Sequence, residues 1–171
     1  MRNKKDFWIE MSIREIWTQC HFAEIAYSNI NDKSRRSTDL IFSSIHSFLS
    51  HCAMISKMLK AYDEEDKALS IGSILNISLD SIIHKRKFRN NLEHYDKELK
   101  NWIGKYPKGV NIGTYNIGPK NFFKGNILLV SHYDPITSNF TFVNEDFNLN
   151  EMLSEVSRVK VIADDWVKNL R

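Results

Sequence analysis

The chain has 171 residues, enough for one domain around one core. At 42% hydrophobic and 26% charged residues its make-up is that of a folded globular protein, which excludes an intrinsically disordered chain. A net charge of +3 is too weak to name a polyanionic partner, so any nucleic-acid argument must rest on where the charges sit.

Only three prolines and six glycines interrupt the chain, which favours long helices. The two cysteines, Cys20 and Cys52, are too few for a disulfide framework and suit a reducing cytosol. No apolar run reaches the length of a membrane helix. Asp6, Glu10, Arg14 and Glu15 interrupt the segment after the basic start, which argues against a signal peptide. The expectation is a cytoplasmic protein with no membrane partner.

In chain order, residues 6–30 predict a first helix, with Phe7, Ile9, Ile13, Ile16, Trp17, Cys20, Ala23 and Tyr27 at three- and four-residue steps. A turn-favouring stretch at 31–34 ends it. A second helix over 37–62 has Ser37, Thr38 or Asp39 as its cap, and the short link predicts an antiparallel hairpin of the two. The acidic run Asp63-Glu64-Glu65-Asp66 suits the start of a short third helix reaching Ile71, with irregular chain from Gly72 to Ser78. A fourth helix is expected from Ser78–Asp80 to Tyr106, closed by Gly104 and Pro107.

Residues 108–125, rich in Gly and Asn, read as loop. Gly109, Gly113 and Gly118 lack the flanking strand and the Gly-Lys-Ser/Thr ending of a phosphate cradle. Two short strands, 126–131 and 140–144, flank a turn-rich segment and predict a β-hairpin. A final helix over 148–169 opens with Asn148 and Glu151 in capping-box spacing. The fold class is therefore mainly α: an antiparallel helical bundle with a small C-terminal β-hairpin and a final helix. It forms a single domain, 1–171, made of a helical core (1–107), a loop and hairpin (108–147) and the C-terminal helix (148–171).

The fourth helix holds the chemistry-bearing set. Phe88, Leu92, Tyr95, Leu99, Trp102, Ile103 and Tyr106 form one apolar stripe at about 100° per residue. Asn90, His94 and Asn101 lie opposite, and Arg89 is about 140° around from His94. His84, Lys85, Arg86 and Lys87 add cations ahead of them, as a phosphate-backbone site requires. A solvated basic face is the plainer explanation of those cations.

Arg89-Asn90-Asn91-Leu92-Glu93-His94 resembles the motif of HEPN domains: Arg, a polar residue, three variable residues, then His. The continuation Tyr95-Asp96-x-x-Leu99-x-x-Trp102 is similar to a bacterial branch of that helical superfamily. The resemblance covers residues 6–102 best, with the hairpin and last helix as an elaboration. It implies a metal-independent endoribonuclease working without cofactor, its motif helices meeting in a homodimer cleft. It also implies a toxin with a cognate antitoxin, or a phage-defence component. In that reading His94 is the general acid/base, Arg89 stabilises charge on the phosphate, and Asn90 holds the His94 tautomer or contacts phosphate. Lys85, Arg86 and Lys87 would bind the RNA backbone. The superfamily also has non-cleaving members, so the alternative is a helical dimer that binds nucleotide, RNA or a protein partner. Trp102, Tyr106, Phe122 and Phe123 would then carry the recognition.

A second, looser copy of the spacing, Arg14 to His21, lies in the first helix and is discounted because Trp17 and Cys20 crowd it with core positions. Cys20-His21 and His51-Cys52 sit on neighbouring helices, but adjacent helical residues point about 100° apart. The cysteines read better as small buried residues than as a zinc site. His132-Tyr133-Asp134 reads as turn residues beside the hairpin, with no nucleophile in a strained turn nearby.

Overall fold

The computed structural model describes residues 4–32, 34, 37–62, 69–85, 95–106, 109, 111–122, 127–143 and 145–169. It is mostly helical, with a small sheet region and a final C-terminal helix.

Helix α1 (Lys4–Ile30) buries Ile13, Ile16, Cys20, Ala23, Ala26 and Ile30, the stripe its periodicity demands. Helix α2 (Thr38–Leu59) starts where Ser37 Oγ accepts the Leu40 N–H at 3.1 Å, so Ser37 rather than Thr38 or Asp39 is the cap. The two are antiparallel, because Gln19 meets His51 while Tyr27 meets Phe48. The C-terminal helix, α5 (Leu149–Lys168), packs on another side of α1. It too is antiparallel to α1, with Lys160 at Glu24 and Asn150 at Tyr27. Its cap is Asn148 Oδ1, which accepts the Glu151 N–H at 3.0 Å. Helix α1 is thus the central element of the helical layer.

Between α2 and α5 the chain makes a short helix, α3 (Ile71–Ile74), and a 3₁₀ turn, Ile82–His84. A fourth helix, α4, spans Tyr95–Ile103. Two expectations change here. Helical residues begin at Ile71, where the sequence reading ended a helix, because Ser70 Oγ caps the turn by accepting the Ser73 N–H at 3.1 Å. The long fourth helix does not start at Ser78–Asp80. Ser78 Oγ accepts the Asp80 N–H at 3.1 Å and Ser81 Oγ accepts the Ile83 N–H at 3.3 Å, closing local turns instead of a helix. The acidic run 63–66 lies outside the described residues.

The expected hairpin is part of a larger sheet. Strands β2 (Asn116–Ile117), β4 (Ser131–Asp134), β5 (Asn139–Phe142) and β6 (Glu145–Asn148) are ordered β2-β4-β5-β6, with β2 parallel to β4 and the rest antiparallel. Strands β1 (Asn111–Gly113) and β3 (Ile127–Leu129) form a separate parallel pair. The segment read as loop therefore contributes β1 and β2. The expected strand over 126–131 divides into β3 and the start of β4. Alternation along each strand assigns the faces. Ile117, Tyr133, Phe140 and Phe147 stand side by side on one face and join the helical core. Each fully buried ring there contributes roughly 1.5–3 kcal/mol.

Candidate functional site

Of the residues predicted to do chemistry, Arg86, Lys87, Arg89, Asn90 and His94 lie outside the described residues. Lys85 is described, and it is exposed directly after the 3₁₀ turn. That turn is fastened on both sides. His84 Nδ1 is 2.9 Å from Ser56 Oγ of α2. Ser81 Oγ donates to Glu155 of α5, and Glu155 holds Arg158 through two hydrogen bonds of 2.7 Å. The hydrogen bonds from Arg158 keep the Glu155 carboxyl below its usual range. The chain therefore enters the basic segment from a fixed point.

On the far side of that segment, Trp102 of α4 is buried and stacks edge-on with Tyr106 at 5.3 Å. Trp102 is not continuous with the main core cluster among the described residues, and Ile103 is exposed. Of the apolar stripe, Trp102 is thus buried and Ile103 is not.

The discounted pair on α1 brackets core positions, with Cys20 buried in the core and Trp17 packed against it. Arg14 and His21 are both exposed, while Trp17 is half-buried. Arg14 is engaged by Glu10 at 2.8 Å, and His21 stacks on Trp17 at 5.6 Å. Cys20 and Cys52 are buried free thiols, as expected. Burial pushes the Cys20 thiol up to about 12 and raises Cys52 as well. His51 bonds Gln19 at 2.7 Å. Among the described residues no cluster of three or more His, Cys, Asp or Glu could hold a metal ion.

The structure places His132-Tyr133-Asp134 in β4, not in a turn. Asn116, His132, Thr141 and Asp146 lie in one row across the four strands. Thr141 Oγ1 donates to Asp146, and Lys120 Nζ reaches the same carboxylate at 3.4 Å. His132 is only 1% exposed on this polar face. Burial lowers its pKa, opposed by Asp134 and Asp146 and assisted by Lys120. Burial also acts to raise Asp134, but the N–H groups of Ile136 and Thr137 outweigh it and hold the carboxyl low. Those N–H donors, at 2.9 and 3.4 Å, shape the true turn over 135–138. The row is a structural polar face, and the sequence signal for it was the polar–aromatic–polar alternation of His132, Tyr133 and Asp134.

Sequence reasoning missed a cavity of about 520 Å³ lined by Asp39, Phe42, Ser43 and His46 of α2 and by Tyr115. The four α2 residues share one helix face by their spacing of three and four. Tyr115 adopts φ 58° and sets its ring edge-on to Phe42 at 5.1 Å. No sequence pattern announced it, because a left-handed backbone at a tyrosine leaves no glycine signature.

No family model, curated protein or solved structure matches the chain. Among the described residues no helix is long and apolar enough to cross a membrane.

Proposed function

We propose that the chain is a HEPN-like, metal-independent endoribonuclease that acts in the cytoplasm as a homodimer. The observation that carries this reading is the stretch Arg89-Asn90-x-x-x-His94 with its aromatic continuation to Trp102. The exposed Lys85, at the end of a turn fastened to α2 and α5, supports it by adding a cation shortly ahead of the motif in sequence. In the reaction His94 takes the proton of a ribose 2′-hydroxyl. The 2′-oxygen attacks phosphorus, and the 5′-oxygen leaves with a proton from an imidazolium. Two copies of His94 in a dimer cleft supply base and acid. Arg89 stabilises the charge on the phosphoryl oxygens, with Asn90 beside it. A toxin with a cognate antitoxin, or a phage-defence role, suits such an activity.

The test is incubation of the purified protein with a panel of RNAs in EDTA. The expected products carry 2′,3′-cyclic phosphate ends. His94→Ala and Arg89→Ala are each expected to lower the rate by about 100-fold or more. Folded, dimeric protein that leaves every RNA in the panel intact would sink this reading.

A second reading, binding without cleavage, is favoured by the exposed aromatics Tyr115 and Phe122. It requires that His94→Ala leave RNA binding unchanged.

A further inference from the structure

The cavity beside Tyr115 has a chemical character of its own. Its volume of about 520 Å³ is in the range of small-ligand sites, roughly 300–1,000 Å³. Its described lining presents acceptors. Among the described residues the Asp39 carboxylate has no hydrogen-bond or ion-pair partner. Ser43 already donates its hydroxyl proton to the Leu40 carbonyl at 3.0 Å, so toward the cavity it offers lone pairs. Burial lowers the pKa of His46, which disfavours a positive charge there. The Asp39 carboxylate thus repels a phosphate and asks for a ligand with donors. The walls are aromatic: Phe42 is buried, while Tyr115 is 53% exposed and presents an open ring.

We propose that this cavity binds a guanine base, whose N1–H and N2 amino group donate to the Asp39 carboxylate while Tyr115 stacks on the ring. The chemistry selects among bases. A carboxylate accepts only, and guanine alone presents two adjacent donors on its pairing edge. Adenine and cytosine place an acceptor beside their amino group, and uracil flanks its single N–H with two carbonyls. Stacking on an open ring is tolerant of sequence, so Asp39 carries the selection. The phosphate of the nucleotide remains outside, away from the carboxylate. The guanine has two sources, a free nucleotide or an unpaired base in single-stranded RNA.

Calorimetric titration of the full chain with GMP, IMP and AMP tests the proposal without requiring any cleavage, so it stands or falls apart from the ribonuclease reading. GMP should saturate. IMP, which lacks only the N2 amino group, should bind about 10-fold more weakly, and AMP more weakly still. Asp39→Asn should bring GMP down to the AMP level. Tyr115→Ala should weaken all three, and Tyr115→Phe should restore them. The GMP-to-IMP ratio on the unaltered chain keeps the test decisive even if a variant fails to fold. No saturation by GMP overturns the proposal, as does equal binding of GMP and AMP. So does benzamidine binding as tightly as GMP with the same Asp39 dependence, which marks a general cation pocket. A short 2′-O-methyl oligonucleotide with one central guanine identifies the source. Tighter binding than GMP assigns an RNA base, and weaker binding assigns the free nucleotide.

Discussion

Ser81 and Glu155 are joined by a hydrogen bond across 74 positions of sequence, and that contact fixes the turn before the basic segment to the C-terminal helix. Glu155 also holds Arg158, so its carboxylate serves two donors at once. Glu155→Ala is expected to cost about 1–3 kcal/mol in urea denaturation, the range for stranding partly buried partners. Lys168→Ala, which removes an exposed pair with Asp164, should leave the midpoint unchanged. Equal effects from the two changes would show that the Glu155 contacts hold nothing together.

Two histidines set an acid limit. His46 and His132 both have pKa values lowered by burial. The unfolded chain therefore binds more protons than the folded one below its ordinary histidine pKa, about 6.5. Their contribution is complete above that pH and is lost as pH falls through the window beneath it. Glu155, lowered by its bonds to Arg158, adds a further loss at lower pH, beneath the ordinary glutamate value. Thermal melts should show the midpoint falling from pH 7 to 5, with a shallower slope in His132→Gln. A flat profile over that window in the unaltered protein would contradict the assignment.

The thiols should be inert in the native protein. Cys20 and Cys52 are buried and disfavoured as thiolates. Iodoacetamide at pH 8 should label neither, whereas both should react in urea. Mass spectrometry reads the result directly, and rapid native labelling would place a cysteine at the surface.

Gly72 marks a close approach. A Cβ there would stand 2.9 Å from the Leu59 carbonyl oxygen at the end of α2, a backbone atom that cannot swing aside. Gly72→Ala is expected to destabilise the fold by about 1–3 kcal/mol, the usual cost of overpacking. Gly109→Ala is the instructive contrast. Gly109 has open space around it but φ +92°, so backbone strain alone would be felt.

The helices α1, α2 and α5 were legible because their buried residues repeat at helical spacing and Ser37 and Asn148 announce two starts. The sheet was legible only as a hairpin. Pro135 and Asp134 read as turn residues, and the turn is there, but β4 runs through Asp134 and buries His132 on a polar face. Parallel partners such as β2 and β4 leave no local signal, since their pairing depends on chain 16 positions apart, Asn116 with His132. The sequence reading started a helix at Ser78–Asp80, yet Ser78 and Ser81 each close a tight turn there. The motif at Arg89–His94 lies outside the described residues, while the Tyr115 cavity depends on a backbone angle that composition does not encode.

Helix α1 packs on α2 and also on the C-terminal α5. Some of its partners therefore lie next to it in sequence and others 123–136 positions away, as Tyr27 with Asn150 and Glu24 with Lys160 illustrate. During synthesis the α1–α2 hairpin can form early, but one flank of α1 has no cover until α5 has left the ribosome. Over that interval the Trp17 ring that Lys160 covers is open to solvent or a chaperone, which leaves the nascent chain prone to aggregate until α5 emerges.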